Sequence, residues 1–216
     1  MTKIKLHQEI YPKASLGELE PLRPVLTKLR WVHEKYINAE REHNSQDFLY
    51  GHRERPYVGL LAAAAWTCRP LGSFVALQEY RSEKGRKGDR VTGRGDLYIR
   101  VRQGTTFEGE AKAIYVRIGA DCATIVTPAS RKLSEASGQV KRQRDGEHLF
   151  GLVFVTPMLK GKSDSLDEYL LQLTAGLQEI CDVLVWIGTP KGRHALRDRD
   201  GTIYPGVFLV ITEVRR

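Results

Sequence analysis

Gly95-Asp96-Leu97-Tyr98-Ile99-Arg100-Val101 and, after the polar turn Gln103-Gly104-Thr105-Thr106, Phe107-Glu108-Gly109-Glu110-Ala111-Lys112-Ala113 decide how this chain folds. In the first stretch Leu97, Ile99 and Val101 alternate with Asp96, Tyr98 and Arg100. In the second, Phe107, Gly109, Ala111 and Ala113 alternate with Glu108, Glu110 and Lys112. Side chains point to opposite faces of a strand with a period of two, so both stretches read as strands, the first from Asp96 to Arg102 and the second from Phe107 to Ile118. Paired as a hairpin, they would gather the carboxylates of Asp96 and Glu110 and the ammonium of Lys112.

Working backward, Phe74 to Tyr80 reads as the strand that completes a three-strand meander. The stretch from Arg81 to Arg94 holds Arg81, Lys84, Arg86, Lys87, Arg90 and Arg94 among several glycines and is expected as an exposed basic loop. A helix is expected over Leu22 to Glu42, with Val25, Leu29, Val32, Tyr36 and Ile37 on one stripe. Pro24 falls in its first turn, where no intrahelical amide bond is lost. A shorter helix is expected from Tyr57 to Trp66.

Working forward, Ser130 to Arg144 reads as a polar, solvent-facing helix. Leu149 to Val155 is continuously apolar, the mark of a strand buried on both faces. Ser165 to Ile180 is a helix with Leu166, Tyr169, Leu170, Leu173, Leu177 and Ile180 at helical spacing and Asp167 and Glu168 in its first turn. Asp182 to Gly188 and Val207 to Val214 read as further strands. The alternation of elements predicts an α/β fold, a central mixed β-sheet flanked by helices, in one domain over residues 1–216.

Composition narrows the partners. The chain has 216 residues, 41% hydrophobic and 28% charged, which fits a globular protein rather than a disordered one. Lys and Arg number 34 against 26 Asp and Glu, and the net charge of +8 favours a polyanion. Cys68, Cys122 and Cys181 lie far apart, outside metal-ligand spacing, and no secretory leader or membrane-length apolar stretch is visible. These features predict a reduced, cytoplasmic protein without a membrane span. The six histidines are dispersed, and neither a nucleotide-cradling Gly-rich Lys motif nor a nucleophile elbow occurs.

Two carboxylates supply the hard oxygen ligands that magnesium prefers while leaving room for water and phosphate. Lys112, two residues from Glu110 on one strand face, would orient the attacking water or stabilise the pentacovalent phosphate; the sequence leaves both roles open. The same letters also fit a turn-capping aspartate and an ordinary Glu/Lys strand face. Clustering in space separates the readings.

Asp96 at a strand start followed by Glu110-Ala111-Lys112 on the next strand resembles the PD-(D/E)xK nuclease superfamily. Gly95 stands where that signature carries proline. The resemblance implies a restriction-endonuclease-like core over residues 22–155, running helix, three strands, helix, strand, with residues 165–214 extending the sheet. It implies a nuclease that hydrolyses phosphodiesters, DNA ahead of RNA, with Mg2+, or Mn2+ in its place, held by Asp96 and Glu110. It further implies an upstream helical acid, best filled by Glu40 with Glu34 and Glu42 as rivals. Glu79 and Glu108 are possible additions, and Gln139 or Lys141 would stand beside Lys112. Small nucleases of this kind often act as homodimers. The alternative is a noncatalytic nucleic-acid-binding or assembly protein on a degenerate nuclease fold.

Overall fold

The computed structural model describes residues 4–13, 15–42, 53–70, 72–84, 91–102, 104–119, 121–142, 146–160, 166–189, 196–197 and 200–215. Strand β1 (His7–Pro12) and a 3-10 turn (Gly17–Leu22) lead into α1 (Arg23–Glu42). Then come α2 (Glu54–Thr67), β2 (Phe74–Lys84), β3 (Val91–Val101), β4 (Thr106–Arg117), α3 (Cys122–Val140) and β5 (His148–Lys160). The chain ends with α4 (Leu166–Glu179), β6 (Val183–Gly188), the short β7 (Leu196–Arg197) and β8 (Thr202–Tyr204), and β9 (Gly206–Val214).

The main sheet runs β1-β6-β9-β5-β4-β3-β2. β2, β3 and β4 form the antiparallel meander read from the sequence, and α3 carries the chain back so that β5 lies parallel to β4. β5 is buried almost throughout, which explains its unbroken apolar run: it lies between β4 and β9 with a helical layer on each face. On one face α1 and α2 cover Leu97, Ile99, Phe107, Ala111, Phe150, Leu152 and Phe154. On the other, α3 and α4 cover Val116, Val153, Val155, Leu184 and Val210. The sheet is therefore mixed and flanked by helices, as expected.

Three of the elements that differ from the sequence reading shape the sheet and its cover. Arg81 to Lys84 continue β2 and Val91 to Arg94 belong to β3, in the register Arg81↔Arg94 and Lys84↔Val91, so the expected basic loop is largely a hairpin. Arg81 and Arg94 stay exposed there, and the apolar alternation that announces a strand is missing. Residues 85–90 lie outside the described residues. Helix α3 begins at Cys122 rather than Ser130; Pro128 argues locally against helix, but Ile125, Ala129, Leu133, Ala136 and Val140 bury a continuous stripe that outweighs it.

The third is β1, which pairs antiparallel with β6 at the sheet edge. Polar groups of α1 hold the segment in place: Asn38 Oδ1 accepts the Ile4 amide at 2.8 Å, and Glu34 Oε2 accepts the Leu6 amide at 3.0 Å. No helix among the described residues is long and apolar enough to cross a membrane.

Candidate active site

Strands β3 and β4 pair from Arg100↔Thr106 to Leu97↔Gly109 and then part. Asp96 is the next residue of β3 after that last pair. Instead of a backbone partner, the Ala111 amide donates to Asp96 Oδ2 at 2.8 Å. The carboxylate is thereby tied to the main chain between Glu110 and Lys112, and among the described residues Oδ1 makes no hydrogen bond.

Alternation sets the rest of the group. Leu97 and Ala111 face α1 and α2, so Glu110 and Lys112 face the α3 side, where their β5 partners are Gly151 and Val153. Glu110 is buried, and its Oε1 lies 3.5 Å from Lys112 Nζ. Glu108 shares this face but is fully buried beneath Gly146, whose Cα a Cβ could extend only to within 2.7 Å of Glu108 Cγ.

Close packing of α3 brings Ser137 over Gly151, the β5 partner of Glu110. A Cβ on Gly151 would stand 2.7 Å from Ser137 Oγ and 3.3 Å from the Leu133 carbonyl, so glycine is what lets the helix approach β5 here. Ser137 Oγ and Gln139 Oε1 are buried with no hydrogen-bond partner among the described residues. Gln139 lies one turn beyond Glu135. The Glu135 carboxyl is held below its usual range chiefly by its hydrogen bond from Lys132, with the charge of Lys112 contributing, so this edge of the helix lies within electrostatic reach of Lys112. Lys141 is exposed beyond the end of the helix.

On the α2 side, Asp96 lines a cavity of about 260 Å³ with Glu54, Arg55, Val58, Gln78 and Glu79. The upstream acid that reaches this cavity is Glu54, in the first turn of α2. Glu40 sits half-buried near the end of α1 and is not part of the lining; Glu42 is the exposed last residue of α1, and Glu34 is engaged with Leu6. Sequence reasoning passed over Glu54 because it started the second helix at Tyr57, placing Glu54 in a loop. The signal that could have found it is an acid at a helix start just before Pro56, where proline fits the first turn.

Glu79 has φ of 45°, the only positive value at a non-glycine residue among those described. Holding such a residue in the left-handed region costs about 1–3 kcal/mol. Its carboxylate meets Arg55 Nε at 2.8 Å and Arg94 Nη1 at 3.5 Å, but exposed ion pairs return only about 0–1 kcal/mol. In the β2–β3 register Glu79 has no partner between Gln78↔Leu97 and Tyr80↔Gly95, so its left-handed backbone sits at a break in the ladder.

The glycine before Asp96 also has a local reason. A Cβ on Gly95 would stand 2.5 Å from the Tyr80 ring, which itself packs against Tyr98 at 5.5 Å. Any larger residue would require Tyr80 to swing away.

Among the described residues, no three Asp, Glu, His or Cys side chains form a ready-made metal cage. Magnesium is commonly held by one or two carboxylates completed by water and substrate phosphate. Asp96 and Glu110 have the chemistry for this, but Asp96 lines the α2-side cavity whereas Glu110 is turned to the α3 side and engaged by Lys112. Among other basic and histidine side chains, Arg131, Arg142 and Arg197 are exposed, and His148 stacks on Phe107 at 5.0 Å. His43, His52, Arg144, Lys191, Arg193, His194 and Arg199 lie outside the described residues. No known protein family, no curated protein and no solved structure matches this chain.

Proposed function

We propose that the protein is a metal-dependent nuclease that hydrolyses phosphodiester bonds, DNA ahead of RNA, on a restriction-endonuclease-like core. The observation that carries this reading is the seating of Asp96 on the Ala111 amide where β3 and β4 part, beside Glu110 and Lys112. The order α2, β2, β3, β4, α3, β5 supports it, since it is the helix, three strands, helix and strand of that core.

In this reading Asp96 and Glu110 would hold a magnesium or manganese ion, which when bound would supply charge neutralisation at the phosphoryl group and a water of lowered pKa. Lys112 donates from Nζ to the attacking water or to a phosphoryl oxygen, and Glu110 fixes where that ammonium sits. Gln139 Oε1 and Ser137 Oγ, buried on α3 with no hydrogen-bond partner among the described residues, would orient the same water or Lys112. Glu54 adds a carboxylate from α2 on the cavity side of Asp96. The net charge of +8 assists approach of a polyanion.

The test is cleavage of linear, circular, single-stranded and branched DNA and of RNA, with magnesium, manganese or chelator, by wild type and by Asp96→Ala and Lys112→Ala. Metal-dependent cleavage lost in both folded variants supports the reading, and unchanged cleavage defeats it. A second reading, a noncatalytic nucleic-acid-binding protein on the same scaffold, draws on the lack of a three-ligand cage among the described residues. It predicts tight binding without cleavage under every metal condition.

A further inference from the structure

Glu79 lines both the cavity that holds Asp96 and an open groove of about 580 Å³ bordered by Arg81, Gly93 and Arg94. Its two carboxylate oxygens are divided between guanidinium groups from different parts of the fold. Oε1 faces Arg55 on α2 at 2.8 Å, and Oε2 faces Arg94 on β3 at 3.5 Å. The two arginine side chains remain 76% and 74% exposed, so solvent and solutes reach both. An anion bridging two planar guanidinium groups is the arrangement by which arginines take a phosphate.

We propose that Arg55 and Arg94 form a phosphodiester clamp at the mouth of the Asp96 cavity, and that Glu79 occupies this clamp until a strand phosphate displaces it. The clamp presupposes the nucleic-acid reading above and names the substrate as polymeric. A lone phosphate ion exchanges one anion for another and gains little. A strand brings neighbouring phosphates along the groove to Arg81 and releases counterions, so it displaces Glu79 where a small phosphorylated molecule does not. The left-handed backbone of Glu79 sets this carboxylate at the junction of the two hollows.

A double-mutant cycle on the full chain tests the clamp. Binding of short fluorescent DNA, single-stranded and duplex, is measured in chelator, with thermal melts confirming that each variant is folded. Glu79→Gln is expected to tighten binding about fivefold, and Arg55→Ala with Arg94→Ala to weaken it about tenfold. In the background lacking both arginines, Glu79→Gln is expected to change nothing. An equal gain in both backgrounds means that Glu79 acts only as one more surface charge and overturns the clamp; so does no gain in the wild-type background. Inorganic phosphate, added against chloride at equal ionic strength, is expected to compete weakly. Strong competition overturns the assignment to a polymer.

Metal-dependent cleavage is measured on the same samples with Asp96→Asn as control. Cleavage that needs Asp96 together with a null cycle sinks the clamp and leaves the nuclease reading standing. Wild-type protein that binds neither DNA in chelator and cuts neither DNA nor RNA with metal sinks both.

Discussion

The side-chain carboxylate of Asp96 accepts the backbone amide of Ala111 at 2.8 Å, tying the last residue before the β3–β4 fork to the middle of the Glu110-Ala111-Lys112 triplet. The contact substitutes for the ladder bond lost where the strands part. It also ties the Asp96 side chain to the backbone between the buried Glu110 and the partly buried Lys112.

Asp96→Asn and Asp96→Ala therefore separate structure from chemistry. Asparagine keeps an oxygen for the Ala111 amide, and its stability in urea should stay within about 1 kcal/mol of wild type. Alanine leaves that amide without its acceptor and should cost about 1–3 kcal/mol. Both should lower metal-dependent cleavage by about 100-fold or more. An asparagine variant cutting at the wild-type rate removes Asp96 from the site.

Lys112→Met tests the ammonium. That group sits 3.5 Å from the buried Glu110 carboxylate, and removing it takes a partner from a buried charge. Stability should therefore fall by up to about 3–5 kcal/mol, and cleavage is read well below the melting range. Cleavage should fall about 100-fold, while DNA binding in chelator changes only a few-fold. A loss of binding equal to the loss of cleavage would assign Lys112 to strand contact alone.

Gly151→Ala probes the approach of α3. The added methyl meets Ser137 Oγ at 2.7 Å and backbone atoms of Ser137 and Leu133 at 3.2 and 3.3 Å, so the helix must move from β5. Overpacking of this kind costs about 1–3 kcal/mol. Ser137→Gly in the same background should recover part of the loss in urea melts, because it removes the shortest contact; no recovery places the strain elsewhere.

His33 predicts how stability changes with pH. The ring is buried on α1, and burial pushes its pKa from 6.5 down to about 3. Between those values the unfolded chain binds a proton that the folded protein refuses. Stability from this group is therefore complete above about pH 6.5 and declines as pH falls toward 3, with a slope of up to about 1.4 kcal/mol per pH unit. Urea melts from pH 7 to pH 4 should show a shallower decline for His33→Phe than for wild type. Identical slopes would show that other groups carry the acid sensitivity.

Periodicity in the sequence determined the site strands and the main helices, because period-two and helical spacings are local consequences of burying one face. It put Leu97 and Ile99 opposite Asp96, and Ala111 opposite Glu110 and Lys112. It also marked β5 as central, since only a strand covered on both faces tolerates the run from Leu149 to Val155. Only the tertiary structure decided which distant elements meet. Local pattern carries a period but no partner, so the sequence left open that β9 lies between β5 and β6, that β1 forms an edge, and that charged residues extend the β2–β3 hairpin. For the same reason helix phase could not choose among the α1 acids, whereas packing of α2 over β2 and β3 brings Glu54 and Arg55 to Asp96. The position of a helix end over a sheet is fixed by contacts between residues far apart in the chain.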